Sequence, residues 1–207
     1  MCVILYSVAP LSGAELAAAC RVNPDGVAWS SWVAGGWSAP RKAAPGEGDG
    51  SAYRAAVAAL SRDGLPAGSV FWARIATGSA CNVHNCQPFP ICNGRAWLWH
   101  NGIIGPSTVA ESDTRRLAAT LAGVPWCRAE WLLDSLAERG AGRFLVQVAG
   151  DPAPMVFGRW DIDEDGETVR SNRNHLARRV PSVWDVLGWD GEESARARVR
   201  SLAWVRK

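Results

Sequence analysis

The feature of this sequence that most restricts its fold is the alternation of β-type and helical segments along the chain. β-branched and aromatic residues dominate segments such as 3–8 and 27–33, whereas segments 112–121 and 128–139 have helical composition. The 207-residue chain shows no internal repeat and no break in composition. The pattern therefore predicts one α+β domain over residues 1–207, with layered sheets.

Two long loops and one tight turn are predicted between these segments. Gly and Pro fill residues 40–50, and Cys, Asn and Pro fill residues 77–94, so both are expected to lack regular structure. Asn101-Gly102 has the composition of a type I′ hairpin turn. Residues 192–205 are predicted to form a short helix with a solvated arginine face, a phosphate or partner contact being the alternative.

Composition and charge exclude several functional classes. Lys and Arg number 22 and Asp and Glu number 20, a balance that does not indicate a nucleic-acid partner. No apolar run approaches the roughly 18 residues that span a bilayer, so no membrane association is expected. No basic residue precedes the apolar segment after Met1, so no secretory signal is expected.

Cysteine usage and the lack of nucleotide motifs narrow the classes further. The 6 cysteines of a chain without a secretory signal are expected to be reduced thiols, which predicts a cytoplasmic protein. The sequence contains no glycine-rich phosphate loop of the Walker or dinucleotide type. No ATP, NAD or other cofactor is therefore expected.

Cys2 is the first candidate catalytic residue, because it directly follows the initiator methionine. Removal of Met1 would leave a residue that carries both a thiol and an α-amine. The amine has a reference pKa of about 7.7–8.0, so near neutral pH it can act as the base for its own thiol. This arrangement is typical of N-terminal-nucleophile hydrolases. The alternative is an ordinary buried strand cysteine.

Further short motifs follow Cys2 in a fixed order. They are Asn23-Asp25-Gly26, Arg74-Ala76-Thr77, Asn85-Pro88-Phe89, His100-Asn101-Gly102 and Ser112-Asp113-Thr114. Together with Cys2 they resemble the glutaminase domain of class II glutamine amidotransferases, and they cover residues 2–114. Gly158-Arg159-Trp160 and Ser171-Asn172 resemble the closing part of the stand-alone members of that family.

The resemblance implies a fold and an activity. The fold would be the four-layer αββα sandwich of N-terminal-nucleophile hydrolases, and the activity would be hydrolysis of the side-chain amide of glutamine with release of ammonia. Because the chain ends soon after these motifs, an ammonia acceptor is expected to be a separate enzyme. Two other functions stay open: a stand-alone hydrolase of another amide, such as a γ-glutamyl compound, and a non-catalytic relative that serves as a binding module.

The resemblance also implies the chemistry of the site. Cys2 would be the nucleophile, while the side-chain amide of Asn101 and the N–H of Gly102 would form the oxyanion hole. His100 would belong to the turn and be structural, because the α-amine of Cys2 transfers the proton. The alternative for Asn101-Gly102 is a plain hairpin turn.

Three residues are expected to bind the substrate. Arg74 suits the α-carboxylate of glutamine as a bidentate fork, Asp113 suits the α-ammonium group, and Thr77 completes the Arg-x-Ala-Thr motif. The alternative for Arg74 is a structural ion pair, and the alternative for Asp113 is the N-cap of a helix.

Two positions depart from the family pattern, and one cluster competes with it. Gly78-Ser79 stands where the family usually has Ser-Gly or His-Gly, and Gln87 replaces a loop histidine. The competing cluster would bind zinc through four side chains, namely Cys81, His84, Cys86 and Cys92. Its spacing lacks a Cys-x2-Cys or His-x3-His pair, so no metal is expected.

Overall fold

Strands of two antiparallel sheets alternate with helices in residues 2–176, the part of the chain that the computed structural model describes. The helices are α1 (Gly13–Val22), α2 (Ser51–Asp63), α3 (Asp113–Leu121) and α4 (Trp126–Glu138). The strands are β1 (Val3–Ser7), β2 (Val27–Val33), β3 (Gly36–Trp37), β4 (Arg41–Ala43), β5 (Ser69–Ala73), β6 (Phe89–Ile91), β7 (Ala96–Gly102), β8 (Gly142–Val148), β9 (Met155–Phe157), β10 (Asp161–Ile162) and β11 (Thr168–Arg170). The helix predicted over 192–205 lies outside the described residues.

The larger sheet has the strand order β10-β11-β1-β5-β2-β3, and β4 also pairs with β2. The smaller sheet has the order β6-β7-β8-β9. Every residue of β1 and β5 is buried, which agrees with their nearly continuous apolar sequences, because a strand covered on both faces needs no polar side. The fold is thus mixed α+β, as the sequence predicts.

One group of buried side chains is shared by the two sheets, and we call it the central cluster. It contains Ile4 and Trp72 from the larger sheet together with Trp99 and Leu145 from the smaller sheet. These side chains are at most 1% exposed. Aromatic residues of this size remove much apolar area from water, so the cluster holds the sheets face to face.

The opposite face of each sheet is covered by helices. Leu5 of β1 packs in one cluster with Leu16 of α1 and Leu60 of α2. Leu98 of β7 packs in another cluster with Leu133 of α4. Successive residues of one strand therefore serve different cores, as the two-residue period of a strand requires. None of the helices within residues 2–176 is long and apolar enough to cross a membrane.

Both predicted long loops contain a short strand, so the prediction was wrong there. Residues 41–43 form β4, which pairs along β2, and residues 89–91 form β6, which pairs along β7. Composition rich in Gly, Pro and Asn hides such edge strands, because their main-chain hydrogen bonds come from a neighbouring strand rather than from their own sequence.

Asn101-Gly102 is not a hairpin turn. Both residues belong to the end of β7, where Asn101 pairs with Arg143 and Gly102 pairs with Gly142 of β8. The hairpin interpretation is therefore wrong, and the Asn-Gly sequence needs another explanation.

Candidate active site

Strand alternation turns the predicted nucleophile and the predicted oxyanion-hole residue toward the same layer. Cys2 lies two residues before Ile4, and Asn101 lies two residues after Trp99, so each shares the face of a residue in the central cluster. Cys2 also packs against that cluster directly. Both side chains therefore face the layer between the two sheets.

The thiol of Cys2 contacts the main chain at the end of β5. Its Sγ donates to the carbonyl oxygen of Ile75 over 3.6 Å. Burial raises the pKa of this thiol, while the main chain of Ile75 and the positive charge of Arg74 lower it by smaller amounts. The net effect favours the protonated thiol, so attack on a carbonyl carbon needs a base.

Only the nitrogen of the Asn101 side-chain amide is hydrogen-bonded within residues 2–176. Asn101 is 1% exposed, and its Nδ2 donates to Ser171 Oγ over 2.8 Å. Its Oδ1 is buried and has no hydrogen-bond partner within residues 2–176. Buried amides are normally satisfied by the fold, so an amide left partly unsatisfied marks a place where a further polar group is expected to bind.

Gly102 is required by the close approach of β7 and β8. A Cβ built on Gly102 would lie 2.3 Å from the carbonyl oxygen of Ala141 and 2.6 Å from the Cα of Gly142. Gly142 has a φ of +128°, and its own Cβ would meet the carbonyl oxygen of Asn101 at 2.5 Å. Two opposed glycines thus allow the strands to approach beside the predicted oxyanion hole.

His100 lies within β7 and not in a turn, and both of its ring nitrogens are bonded inside the fold. Its Nε2 lies 3.0 Å from the carbonyl oxygen of Ala141, so Nε2 carries the proton, and its Nδ1 lies 3.0 Å from Thr114 Oγ1. Burial lowers the pKa of this imidazole. By alternation it faces α3 rather than the layer that contains Cys2.

Gln87 replaces the loop histidine of the family that the motifs resemble. Its side-chain amide continues the hydrogen bonding of β6 to β7. Its Nε2 donates to the carbonyl oxygen of His100 over 2.9 Å, and its Oε1 accepts from the N–H of the same residue. The side-chain amide thus pairs with β7 as a strand residue would. This departure from the family pattern supports the strand that carries Asn101.

Arg74 is buried, and two residues of the following loop occupy its guanidinium group. Arg74 is 3% exposed, its Nη1 donates to the Ala80 carbonyl over 2.8 Å, and its Nη2 donates to the Ser79 carbonyl over 3.2 Å and hydroxyl over 2.6 Å. Within residues 2–176 no carboxylate forms an ion pair with it. Nε–H and one Nη1–H remain, so a bidentate contact with a substrate requires Ser79 to release Nη2.

The first two motifs of the resemblance are joined in space. The carboxylate of Asp25 accepts from the N–H of Ala76 over 2.7 Å, and its own N–H donates to the Arg74 carbonyl over 2.9 Å. The N–H of Arg74 in turn donates to the Gly26 carbonyl over 2.8 Å. The turn before β2 therefore fixes the end of β5, where Cys2 makes its thiol contact.

Asp113 is the first residue of α3, and Thr77 lies in the loop after β5. Ser112 is the N-cap of α3, and its Oγ accepts from the N–H of Arg115. Asp113 instead accepts from the N–H of Ile104 over 2.8 Å and of Thr114 over 2.7 Å. Thr77 is exposed. No hydrogen bond within the described part of the chain joins Asp113 or Thr77 to Cys2 or to the guanidinium group.

Asn85 ties these two loops together. Its Nδ2 donates to the carbonyl oxygens of Ala80 and Ala110, both over 3.3 Å, and its Oδ1 accepts from the N–H of Ser112 over 3.0 Å. The Asn of the Asn-Pro-Phe motif thus connects the loop after Arg74 with the loop before α3. Its role is to shape the border of the site.

The cysteines of the competing zinc cluster are separated. Cys86 belongs to the central cluster, whereas Cys92 belongs to the core under α3 and α4. Among residues 2–176, no group of three or more His, Cys, Asp or Glu side chains is arranged to hold a metal ion.

The structure gives Ser171 and Asn172 contacts that the sequence analysis did not assign. Ser171 Oγ accepts from both Asn101 Nδ2 and the N–H of Ile4, and Asn172 Nδ2 donates to the carbonyl oxygen of Cys2 over 2.7 Å. Their resemblance to the closing part of the family was the signal available, but a dipeptide distant from Cys2 in the chain does not reveal its partners.

Comparison of the sequence with known proteins gave no match, either among protein-family models or among curated proteins.

Proposed function

We propose that this chain is a glutamine amidotransferase-type glutaminase, in which Cys2 hydrolyses the side-chain amide of glutamine with release of ammonia, or that of a γ-glutamyl compound with release of the corresponding amine. The observation that carries this proposal is the common orientation of Cys2 and Asn101 toward the layer between the sheets, where Ser171 bonds both Asn101 and the N–H of Ile4 in β1. The ordered motifs of the sequence support the same family.

The proposal includes the four-layer αββα arrangement of N-terminal-nucleophile hydrolases. Three separate apolar clusters support it: one under α1 and α2, one between the sheets, and one under α3 and α4. In such an arrangement the ends of the central strands open between the sheets. Cys2 directly precedes β1, Arg74 directly follows β5, and Asn101 lies near the end of β7, which supports this arrangement.

The proposed reaction begins after removal of Met1. The α-amine of Cys2 takes the thiol proton, and the sulfur attacks the carboxamide carbon of the substrate to form a C–S bond. The negative charge that develops on the carbonyl oxygen is stabilised by Asn101 Nδ2 and the N–H of Gly102. The C–N bond then breaks, the leaving nitrogen receives the proton as ammonia, and water hydrolyses the thioester.

A second candidate substrate is favoured by the contacts of Arg74. Because Ser79 and Ala80 already occupy much of its guanidinium group, an amide that contacts Arg74 through a single oxygen fits without rearrangement. The stand-alone hydrolysis of another amide is therefore the alternative function. Transfer of ammonia to a separate acceptor enzyme belongs to the glutaminase proposal and not to this alternative.

An ammonia-release assay tests the proposal. Processed protein that begins with Cys2 is incubated with glutamine, asparagine, γ-glutamyl amides and a neutral primary amide, and the Cys2→Ala variant is the control. We expect release from at least one amide by the wild type only. Folded Cys2→Ala protein that releases ammonia at the wild-type rate would overturn the proposal.

A further inference from the structure

The segment that follows β11 touches both halves of the candidate site. Ser171 is 0% exposed, and its main chain and side chain both bind β1: its N–H donates to the Ile4 carbonyl over 2.9 Å, and its Oγ accepts from the N–H of Ile4 over 2.8 Å. The same Oγ accepts from Asn101 Nδ2. One hydroxyl thus connects the strand of the nucleophile with the proposed oxyanion donor.

Hydrogen-bond counting shows what this contact does to Asn101. The side-chain NH2 group has two hydrogens, and one of them is directed to Ser171 Oγ. The amide is planar, so fixing this hydrogen also fixes the direction of the second. Without Ser171, rotation about χ2 would let the second hydrogen point elsewhere, since Oδ1 has no partner within residues 2–176 to hold the amide.

Asn172 acts on the nucleophile itself. Its Nδ2 donates to the Cys2 carbonyl over 2.7 Å, while its Oδ1 accepts from the N–H of Asn174 over 3.1 Å. Holding this carbonyl fixes the peptide plane after Cys2. That plane includes the Cα of Cys2, which carries the thiol and the α-amine. A terminal residue otherwise has few restraints.

Charged groups on both sides fix the segment in turn. Arg170 forms a bidentate ion pair with Glu15 of α1, at 2.7 and 3.1 Å, and a further ion pair with Asp163. His175 Nε2 donates to Glu15 Oε1 over 3.1 Å. Glu15 therefore anchors the chain immediately before Ser171 and soon after Asn172.

We infer that Ser171 and Asn172 are positioning residues, which hold the oxyanion donor Asn101 and the nucleophile Cys2 in one fixed relation. This inference rests on the proposed function and extends it. Stabilisation of the oxyanion by Asn101 then depends on the Ser171 hydroxyl, because electrostatic stabilisation requires donors that are oriented before the charge develops.

The kinetic test is a double-mutant cycle. Ser171→Ala should lower kcat for the best amide roughly 10- to 100-fold with little change in KM, because part of one oxyanion donor is lost. In an Asn101→Ala background the same change should cost less than about threefold, because the supported group is already absent. Ser171→Cys, which keeps the size of the side chain, should be intermediate.

Ser7→Ala is the matched control. Ser7 is also 0% exposed on the β1–β11 pair, and its hydroxyl bonds Thr168 Oγ1 over 3.0 Å, away from Asn101. It should keep the wild-type kcat. Multiplicative losses in the double mutant, or an equal loss in Ser7→Ala, would overturn the inference.

A crystallographic comparison separates this inference from the proposed function. In crystals of Ser171→Ala, the Asn101 amide should turn or lose its fixed orientation while Ile4 stays in place. An Asn101 amide that keeps its position without the Ser171 hydroxyl would overturn the positioning role, whatever the activity. If the wild type hydrolyses no amide, the proposed function fails, and this structural result still decides the role of Ser171.

Discussion

Cys2 Sγ lies 3.6 Å from the carbonyl oxygen of Ile75, an acceptor that does not remove the thiol proton. Within residues 2–176 the thiol has no hydrogen bond to a side-chain base. Burial raises its pKa, so the reactive thiolate is scarce at neutral pH. The proposed reaction therefore needs another base, and the α-amine that removal of Met1 would expose is on the same residue.

Activity should depend on removal of Met1. A chain that retains Met1, for example through a bulky residue inserted after it, should fold normally and lose at least about 100-fold in kcat, the scale of general-base catalysis. Intact-mass spectrometry of both samples gives the state of the terminus. Full activity with Met1 in place would contradict the α-amine mechanism.

Replacing Asn101 by Ala should lower kcat by roughly 10²–10³-fold, the usual cost of one oxyanion donor. Alkylation of Cys2 by iodoacetamide develops no oxyanion, so its rate should stay within about threefold of the wild type. Peptide mapping measures it beside exposed Cys127 as an internal reference. A change confined to KM would show that Asn101 only binds substrate.

Replacing Arg74 by Ala should discriminate between substrates. If Arg74 binds the α-carboxylate of glutamine, kcat/KM for glutamine should fall well over tenfold, because truncating one partner of a desolvated charge pair costs about 2–5 kcal/mol. A neutral primary amide should lose much less. Equal losses for both substrates would mean that Arg74 serves only to anchor Ser79 and Ala80.

Alanine at Gly102 should damage the fold locally, whereas alanine at Gly105 should not. The new Cβ at Gly102 would lie 2.3 Å from a main-chain oxygen, but at Gly105 no heavy atom lies within 4 Å. We expect Gly102→Ala to cost about 1–3 kcal/mol in the free energy of unfolding, as overpacking does. Chemical denaturation of both variants measures this, and equal stability would contradict the close approach of β7 and β8.

Glu15 should make stability depend on pH below neutrality. Burial alone would raise its pKa, but hydrogen bonds from His175 and Arg170 lower it to about 2. A carboxyl whose folded pKa is depressed stabilises the fold above its unfolded pKa of about 4.3, and this contribution is lost as pH falls toward 2.

Urea denaturation between pH 7 and pH 3 tests this expectation. The Glu15→Gln variant should be less stable at pH 7 and should lose less stability on acidification than the wild type. Asp63→Asn, which removes an exposed ion pair with Arg62, should leave the free energy of unfolding almost unchanged. Parallel pH curves for wild type and Glu15→Gln would contradict the pKa of Glu15.

Local sequence pattern was sufficient for the helices and the central strands, because their apolar periodicity reflects the clusters they join. The helix over 112–121 was predicted in the same way, although Ser112 and not Asp113 is its N-cap. The edge strands β4 and β6 were missed, since a neighbour supplies their hydrogen bonds. The sequence did not predict that Ser79 and Ala80 bind the guanidinium group of Arg74, nor the contacts of Ser171. These contacts depend on the tertiary fold, which the spacing of motifs along the sequence does not reveal.

Alternate residues of strand β7 face two different layers: one set faces the layer between the sheets, and the other faces α3. The number of residues in β7 therefore matters more than their exact identity. Deleting or inserting one residue between Ala96 and His100 would turn Asn101 toward α3 and turn the imidazole toward the layer between the sheets. Substitutions by side chains of similar shape do not change which face of β7 each residue occupies. In homologous or engineered chains, insertions and deletions should therefore be absent from β7. They should occur instead at the turn around Asp165, where they do not change which face each residue of β7 occupies.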